Sequence, residues 1–169
     1  MAIHDPVLLD QIERLGTQRF EGHVWRHMFN DHPPELSNTR GARWNPPGVA
    51  AIYTSLAPAT ALAEARHAID IQPVRPKPRR RVLYELLITL DSAVDLTTER
   101  YKEVGLTELD LGADDFSPCQ RVGGAVAWLG YDGIIVPSAR ANGGNVVILV
   151  DSVAPDALFQ RVGETEIEV

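Results

Sequence analysis

The sequence predicts a single α+β domain, and three observations lead to this class. Strand and helix patterns are mixed along the 169 residues without the regular strand–helix–strand order of a parallel sheet. Neither G-x-G-x-x-G nor G-x-x-x-x-G-K-[ST] occurs, so neither a Rossmann domain nor a P-loop is indicated. No repeat or linker divides the chain, whose length suits one hydrophobic core. We expect one domain over residues 1–169, with a core at about 22–152, an N-terminal helix and a polar C-terminal tail.

Apolar spacing predicts one helix and two strands in the first third of the chain. Residues 6–15 fit an amphipathic helix, and "HVWRHMF" at 23–29 alternates like a strand. This alternation puts Arg26 among apolar residues on one face of the strand. A Pro/Gly/Asn-rich segment, 30–48, is expected to be irregular, and it leads into a second strand at 49–54.

The stretch "SLAPATALAEARHAIDIQ" gives the clearest helical pattern, with Ser55 as its expected cap and Pro58 in the first turn. Its packing stripe is expected to consist of Leu62, Ala65 and Ile69. Glu64 lies off that stripe, on a helix face that otherwise carries three alanines: Ala57, Ala61 and Ala68. These small side chains leave space beside the carboxylate for another group.

A basic connector and a long buried strand are expected after this helix. The connector "PVRPKPRRR" at 73–81, with its basic segment from Arg75 to Arg81, is predicted to be extended because its alternating prolines oppose helix formation. "VLYELLITL" at 82–90 predicts a mostly buried strand. Residues 91–116 are acidic and rich in turn formers, with room for one short helix.

A last helix and two short strands complete the predicted elements. Ser117-Pro118-Cys119-Gln120 matches a capping box and opens a helix that is expected to stop at Gly130. The apolar positions of this helix, which include the cysteine, recur at helical spacing. The strands "GIIVP" and "NVVILV" follow, joined by "SARANGG", and an acidic polar tail comes after them.

The charge and the cysteine content exclude several classes of protein. A net charge of −7 and a pI near 5.2 argue against a general nucleic-acid binder, which needs a basic surface to displace counterions from phosphates. Cys119 is the single cysteine, so neither an intramolecular disulfide nor a zinc-binding cysteine pair can form. The first residues do not resemble a signal peptide, and no apolar run approaches the length of about 18 residues that a spanning helix needs. We expect a soluble, cytoplasmic protein.

Neither a metal site nor a serine-esterase site is expected. His23 and His27 are the one histidine pair at short regular spacing, but on a strand they lie too far apart to share a metal. Ser138 lacks the surrounding G-x-S-x-G motif. Cys119 falls within the packing stripe of its helix, which predicts an inert thiol.

Nine side chains are candidates for chemistry, and each also has a purely structural interpretation. They are Arg26, Arg43, Trp44, Asn45, Tyr53, Glu64, Ser138, Arg140 and Asn145. The tryptophan could fill the core, the tyrosine could pack within its strand, and the glutamate could be a solvated helix former. The serine could simply begin the turn before Asn-Gly-Gly. No single residue therefore decides the function.

Taken together, the candidates match the chemical groups of NAD⁺. Arginine guanidinium groups with a hydroxyl and Gly-rich backbone amides suit a pyrophosphate. Aromatic rings suit a flat base or a pyridinium ring. A lone carboxylate suits a positively charged sugar transition state, and the leaving group needs no protonation because a pyridinium departs as neutral nicotinamide.

The chain also resembles the RES-domain family, toxins of bacterial toxin–antitoxin pairs that are named for Arg, Glu and Ser. The similar segments occur in the family's order and span most of the chain. They are "VWR" at 24–26, "RGARWNPPG" at 40–48, "IYTS" at 52–55, "ALAE" at 61–64, "VDL" at 94–96 and "YDGIIVPSARANGGNVVIL" at 131–149. One difference is Ala42, because the family turn often has a second glycine before Arg-Trp-Asn.

The resemblance implies an ADP-ribosyltransferase-like fold, with a mixed sheet core and flanking helices, and an NAD⁺-degrading activity that arrests growth. By position it implies that the catalytic residues are Glu64, Arg43 and Tyr53. The NAD⁺-binding residues that it implies are Arg26, Arg43, Trp44, Tyr53, Ser138 and Asn145. In this assignment the arginines bind the phosphates, the tyrosine packs against the nicotinamide end and the glutamate is the catalytic carboxylate.

The family's partner is an antitoxin with an N-terminal part that resembles a helix-turn-helix DNA binder and a C-terminal segment that plugs the toxin's pocket. Contact with DNA then belongs to the partner and not to this chain. Three functions stay open: NAD⁺ cleavage by phosphorolysis or hydrolysis, transfer of ADP-ribose to a cellular target, and non-catalytic nucleotide binding. Inorganic phosphate would be the co-substrate of phosphorolysis, and we favour a small-molecule acceptor over a protein.

Overall fold

The computed structural model describes residues 3–29, 31–74 and 80–168, and these residues form four α-helices and six β-strands. The helices are α1 (Pro6–Leu15), α2 (Pro58–Asp70), α3 (Glu108–Gly112) and α4 (Ser117–Trp128). The strands are β1 (Gln18–Phe29), β2 (Ala51–Ser55), β3 (Arg81–Asp95), β4 (Gly133–Pro137), β5 (Gly144–Leu149) and β6 (Phe159–Glu166). Short 3₁₀ helices, Arg100–Val104 and Val150–Ser152, lie after β3 and β5. The predicted α+β class is confirmed.

The strands form one mixed sheet that closes on itself. Their order is β1-β2-β5-β4-β3-β6, and β1 also pairs with β3, so five of the strands make a ring. β3 pairs along most of its length with β1, and its other edge pairs first with β6 and then, in parallel, with β4. The seam between β1 and β2 is different, because a single residue pair, Trp25–Ser55, joins these strands. The ring is therefore nearly open along this seam.

Two hydrophobic clusters lie on the two sides of the ring, because successive side chains of a strand point to opposite faces. The cluster inside the ring takes residues from all five strands, among them Val24, Ile52, Leu86, Ile135 and Ile148. The cluster outside the ring joins β2, β4 and β5 to α1 and α4, and includes Leu8, Ile12, Ala51, Val122, Val126 and Val147. β2 and β5 are thus covered on both faces, which explains the continuous apolar run in "NVVIL".

Three strand predictions need correction. β1 begins at Gln18 and not at residue 23, and β3 continues past residue 90 to Asp95. The polar tail is not irregular, because Phe159–Glu166 forms β6 and pairs with the first half of β3. Its side chains are mostly exposed, so no buried face marks this strand in the sequence, and its backbone hydrogen bonds to β3 hold it in place.

Two predicted helix caps are wrong. Ser55 lies in β2, and α2 begins at Pro58 after Ala57, which makes no side-chain cap hydrogen bond. Ser117 is the first residue of α4, and Phe116 before it makes no side-chain cap bond either. In α2 and in α4 a proline lies in the first turn, and because proline has no N–H group, each of these two helices has one free N–H group fewer at its start.

The glutamine of the predicted capping box has another role. Gln120 Nε2 donates to the carbonyl oxygen of Ala42 at 2.9 Å, which ties α4 to the irregular segment before β2. A capping box does form elsewhere, in α3, where Thr107 and Asp110 exchange side-chain and backbone hydrogen bonds.

The buried face of α2 is close to the predicted stripe but not identical to it. The buried residues are Thr60, Ala61, Ala65 and Ile69, whereas Leu62 is only half-buried. Glu64 is half-buried as well and stands at the border of this face. The alanine-rich side of α2 is therefore turned toward the sheet with the carboxylate at its margin.

Cys119 is fully buried in α4, as its position in the packing stripe predicts. Burial raises the pKa of its thiol to about 11, an effect that the nearby Arg43 cation opposes only in part. The thiol is therefore neutral at physiological pH, which agrees with an inert cysteine.

The basic connector falls largely outside the described residues, because 75–79 are not among them. Its last two arginines are described. Arg80 Nη1 lies 2.6 Å from Asp31 Oδ1 in an exposed ion pair, and Arg81 is the first residue of β3. Within the described ranges, no helix combines the length and the apolar character needed to cross a membrane.

Gly123 allows the irregular segment before β2 to rest directly on α4. A Cβ atom at this position would lie 1.6 Å from the carbonyl oxygen of Trp44, a distance that no side chain can adopt. The contact is with backbone and not with a flexible side chain, so it cannot be relieved by a rotamer change. Glycine at 123 is required for the observed approach.

We predict that Gly123→Ala lowers the free energy of unfolding by about 3 kcal/mol or more, because the added methyl group must push Trp44 away from α4. Urea denaturation followed by circular dichroism measures the change. Gly112→Ala in α3 is the matched control, since no atom lies within 4 Å of the place that its methyl group would occupy. Equal stability of the two variants would contradict the close contact.

Candidate functional site

A cavity of about 290 Å³ opens at the seam between β1 and β2, beneath α2. β1 supplies Trp25, Arg26 and His27, and β2 supplies Tyr53, Thr54 and Ser55. The remaining lining residues are Ala61, Glu64, Ala65 and Ala68 of α2 and Asn145 of β5. The cavity thus lies where the ring of strands is held by one residue pair, and four of the predicted site residues line it.

Glu64 is held at the cavity by two hydrogen bonds to one of its oxygens. Oε1 accepts from Ser138 Oγ at 2.6 Å and from Asn145 Nδ2 at 3.2 Å. Ser138 Oγ in turn accepts from the backbone N–H of Arg140 at 3.1 Å. Among the described residues, none donates a hydrogen bond to Oε2. The carboxylate is therefore fixed in position while it keeps one oxygen for another partner.

Two glycines bring Ser138 close to Glu64. The turn between β4 and β5 closes through the Ser138 N–H, which donates to the Gly143 carbonyl at 2.8 Å. A Cβ atom on Gly143 would lie 2.6 Å from Thr60 Oγ1, and one on Gly144 would lie 2.8 Å from Leu56 Cδ1, so glycines let this turn approach α2 closely. The space that the alanines were predicted to leave beside Glu64 is present, because two of them, Ala61 and Ala68, line the cavity together with Ala65 of the predicted packing stripe.

Arg26 is a largely buried cation at the cavity. Its Nη1 donates to the carbonyl oxygen of Pro34 at 2.8 Å, and no other hydrogen bond of its guanidinium group is formed within the described residues. Burial lowers the pKa of Arg26 to about 10, and the Glu35 carboxylate opposes this effect in part. Arg26 keeps its charge at neutral pH, so it presents spare donors to an anion.

Glu35 is mainly the partner of another arginine. Arg161 on β6 donates to its two carboxylate oxygens, at 2.9 Å from Nε and 2.7 Å from Nη2. These hydrogen bonds lower the pKa of Glu35. The pair anchors the segment that carries Pro34 to β6, and so indirectly fixes the carbonyl that holds Arg26.

His27 is a cavity residue that the sequence did not reveal. Arg81 Nη1 lies 3.2 Å from His27 Nε2, and since arginine only donates, this nitrogen accepts. Burial, with a smaller contribution from the Arg81 cation, lowers the pKa of His27 to about 4. The imidazole is therefore neutral at pH 7. The one feature of the sequence that could have identified His27 as a cavity residue is its position beside Arg26, near the C-terminal end of a predicted strand.

The predicted turn "RWN" contributes a buried hydrogen-bond knot, which consists of Trp44, Asn45, Val49 and Tyr53. The Tyr53 hydroxyl donates to Asn45 Oδ1 at 2.6 Å and accepts from the Trp44 N–H at 2.9 Å. Asn45 is fully buried, and its Nδ2 donates to the Val49 carbonyl at 2.8 Å. Burial raises the pKa of Tyr53 above its usual range, so the hydroxyl stays neutral while the ring lines the cavity.

Trp44 and Arg43 are not brought into the cavity. Trp44 is 3% exposed in the outer hydrophobic cluster, where its ring packs in the core, and its assignment as an NAD⁺-binding residue stays a prediction. Arg43 Nη1 donates to the carbonyl oxygens of Asp110 and Ala113, at 3.3 and 2.7 Å. Its guanidinium carbon also lies 4.7 Å from the centre of the Phe116 ring. The structure gives both side chains a role in packing.

Asn145 carries the one buried side-chain polar atom of the described residues that has no hydrogen-bond partner. This atom is Oδ1, and the Nδ2 of the same amide donates to Glu64. The orientation of the amide follows from this contact, because a carboxylate can only accept. An unpaired buried acceptor next to a cavity indicates a site for a donor from a ligand.

The site therefore combines one carboxylate, one buried guanidinium group, two aromatic side chains and an unpaired amide oxygen. No cluster of three or more His, Cys, Asp or Glu side chains suited to a metal ion occurs in the described part of the chain. The groups suit a ligand with an anionic part, a flat ring and a centre that becomes positively charged.

Three comparisons with known proteins agree with this arrangement. A model of the RES domain matches residues 15–167. The NAD(+) phosphorylases MbcT of Mycobacterium tuberculosis and Mycobacterium bovis are each 32% identical to the chain over 148 residues, which covers 82% of this chain and 79% of theirs. The crystal structure of the M. tuberculosis MbcT–MbcA toxin–antitoxin complex matches with a TM-score of 0.86 at 26% identity, over 96% of this chain and 93% of that one.

The pKa of His27 leads to a prediction about stability at mildly acidic pH. Below the ordinary pKa of 6.5 the unfolded chain binds a proton at His27, whereas the native state does not do so until the pH approaches about 4. The unfolding free energy of the wild type should therefore fall relative to that of His27→Gln between these two pH values. Urea denaturation from pH 7.5 to pH 4.5 measures the difference.

The difference between the two proteins at about pH 7 to 9 serves as the control, because His27 is neutral in both states there. Effects of other titrating groups cancel in the comparison. A difference that stays constant down to pH 4.5 would show that His27 takes up its proton at an ordinary pH.

Proposed function

Since this chain belongs to the RES domain family, we propose that it is the toxin of a toxin–antitoxin pair and that it cleaves the nicotinamide N-glycosidic bond of NAD⁺. The observation that carries the proposal is the Glu64 carboxylate, fixed by Ser138 and Asn145 at the edge of a cavity. The proposal is also supported by the name of the MbcT relatives, which are NAD(+) phosphorylases.

In the proposed reaction Glu64 stabilises positive charge on the ribose. As the bond between C1′ and the pyridinium nitrogen breaks, the bonding electrons go to the nitrogen and the ribose becomes an oxocarbenium ion. The free Oε2 of Glu64 is suited to face this cation. No general acid is required, because the leaving nicotinamide is already neutral. This agrees with a cavity in which Glu64 is the one acidic lining residue.

Arg26 is the proposed partner of the pyrophosphate. Its single hydrogen bond to Pro34 leaves further guanidinium donors, and its burial means that an anion there is shielded from solvent. Three further residues complete the proposed site. Tyr53 lines the cavity, and Ser138 and Asn145 donate hydrogen bonds that hold Glu64 in place. Arg43 supports the site through the segment that contains the knot.

The proposed acceptor is inorganic phosphate. Its oxygen would form a bond to C1′ as the bond to nitrogen breaks, giving ADP-ribose 1″-phosphate and nicotinamide. The name of the MbcT relatives favours this acceptor over water and over a protein side chain. The lining offers a cation, Arg26, to attract a second anion, and no metal is invoked.

The proposed partner is a cognate antitoxin. The structural neighbour is a toxin–antitoxin complex, which supports such a pairing. We propose that the antitoxin has a helix-turn-helix DNA-binding part and a C-terminal segment that enters the cavity. A carboxylate-bearing segment would meet the charge of Arg26, and the acidic toxin, with a net charge of −7, would leave DNA to its partner.

Glu64→Gln is predicted to keep the fold and to reduce NAD⁺ consumption by about a hundred- to a thousand-fold, because the neutral amide no longer stabilises the cation. The amide oxygen can still accept from Ser138 and Asn145, so circular dichroism and the unfolding midpoint should change little. NAD⁺ loss is measured by separating the nucleotides chromatographically.

The control for this variant is Asp70→Asn, which removes an exposed carboxylate from the last position of the same helix. It should consume NAD⁺ at the wild-type rate. Near-normal turnover by Glu64→Gln would refute the catalytic role of Glu64 and would show that this half-buried residue has only a structural role.

The acceptor is identified by incubating the protein with NAD⁺ at increasing phosphate concentration and identifying the products by mass spectrometry. We expect ADP-ribose 1″-phosphate and a rate that rises with phosphate. Free ADP-ribose at a rate independent of phosphate would establish hydrolysis. Label from NAD⁺ that remains on precipitated cellular protein, and that Glu64→Gln does not produce, would establish ADP-ribose transfer in its place.

A further inference from the structure

Trp25, Ser55 and Asn145 form one row across three neighbouring strands. Trp25 is the pairing partner of Ser55, and Ser55 is the partner of Asn145. Directly paired residues project from the same face of a sheet, and each step spans about 5 Å. The backbone positions of Trp25 and Asn145 are therefore about 10 Å apart, both side chains leave the same face, and only a serine side chain lies between them in the row. This row has the form of a slot with two walls and a low floor.

The Trp25 ring is not used by the hydrophobic core. It is half-buried, lines the cavity and belongs to neither of the two hydrophobic clusters. No described residue accepts a hydrogen bond from its Nε1. The other tryptophans differ, because Trp44 is 3% exposed in the core and Trp128 is 61% exposed on the surface, away from this cavity. Trp25 is thus the tryptophan with a face free for a ligand.

We propose that Trp25 is the platform on which the pyridinium ring of NAD⁺ stacks. The proposal rests on the function proposed above and adds a specificity-determining residue to it. A tryptophan face is the best aromatic partner for a cation, and the pyridinium ring is both flat and positively charged. After cleavage the neutral nicotinamide loses the cationic part of this attraction, so the platform holds the substrate more tightly than the product.

The opposite wall of the slot fits the remaining group of the same ring. Asn145 Oδ1 is buried and has no donor, and the carboxamide of nicotinamide offers an N–H₂ group. The hydrogen bond from Asn145 Nδ2 to Glu64 Oε1 places this wall next to the catalytic carboxylate. A ring between the two walls would have its ribose bond beside Glu64, whereas adenine, at the far end of the pyrophosphate, would not need this position.

Tryptophan fluorescence tests the proposal without any turnover. The ligands are N-methylnicotinamide methylated on the ring nitrogen, which is a pyridinium cation with no glycosidic bond to cleave, and AMP, which carries the adenine end. We expect N-methylnicotinamide to quench the fluorescence of Trp128→Leu, which lacks the exposed tryptophan, with saturation at a bound site, and we expect this saturable quenching to disappear when Trp25→Leu is added to Trp128→Leu. NAD⁺ binding to Glu64→Gln should weaken by about 5- to 150-fold when Trp25→Leu is added, the range expected for one lost stacking contact.

Trp25→Phe keeps an aromatic face and should recover part of this affinity, which separates a stacking role from a structural one. Quenching by AMP and not by N-methylnicotinamide, or an unchanged NAD⁺ affinity in folded Trp25→Leu, would overturn the proposal. Both outcomes can be read even if the wild type consumes no NAD⁺. A lack of NAD⁺ loss with normal quenching would instead count against the proposed function alone.

Discussion

The buried amide of Asn45 is the contact on which the site depends. It lies in the knot between the irregular segment and β2, where Tyr53 fills its acceptor and the Val49 carbonyl receives its N–H₂ group. Leaving one such buried group without a partner costs about 1 to 3 kcal/mol. Because the same knot holds the Tyr53 hydroxyl, it fixes the end of a side chain that lines the cavity. The "RWN" turn therefore supports the site through its hydrogen bonds to Tyr53, although Arg43, Trp44 and Asn45 do not line the cavity.

The cavity exists because two constraints meet at the seam of β1 and β2. The strands separate beyond a single residue pair, and the helix that covers the gap carries alanines on the side that faces it. The ionisable groups that line this space are one carboxylate, one guanidinium group and a neutral imidazole. This combination lets the guanidinium group attract an anionic ligand while the carboxylate stabilises one developing positive charge.

Periodicity predicted most elements of the fold, and the composition of α2 predicted open space beside Glu64. The failures have separate physical causes. β6 has no buried face, so no alternation marked it, and neither serine caps a helix, because α2 begins three residues after Ser55 and α4 begins at Ser117 itself. Local sequence patterns do not predict how the sheet closes into a ring. This closure decides that Trp25 lines the cavity while Trp44 is buried. The contacts of Arg43 were unpredictable for the same reason, since its carbonyl partners lie 67 and 70 residues away.

The long separation between the halves of the site affects how the protein is made. Glu64 and Asn145 are 81 residues apart, and Ser138 is 74 residues from the same carboxylate. β5 completes the ring by pairing with β2, so its arrival closes a long loop, a slow event in folding. During translation a growing chain exposes the glutamate long before its two partners leave the ribosome. A chain that ends before Ser138 therefore lacks both side chains that hold the Glu64 carboxylate in place.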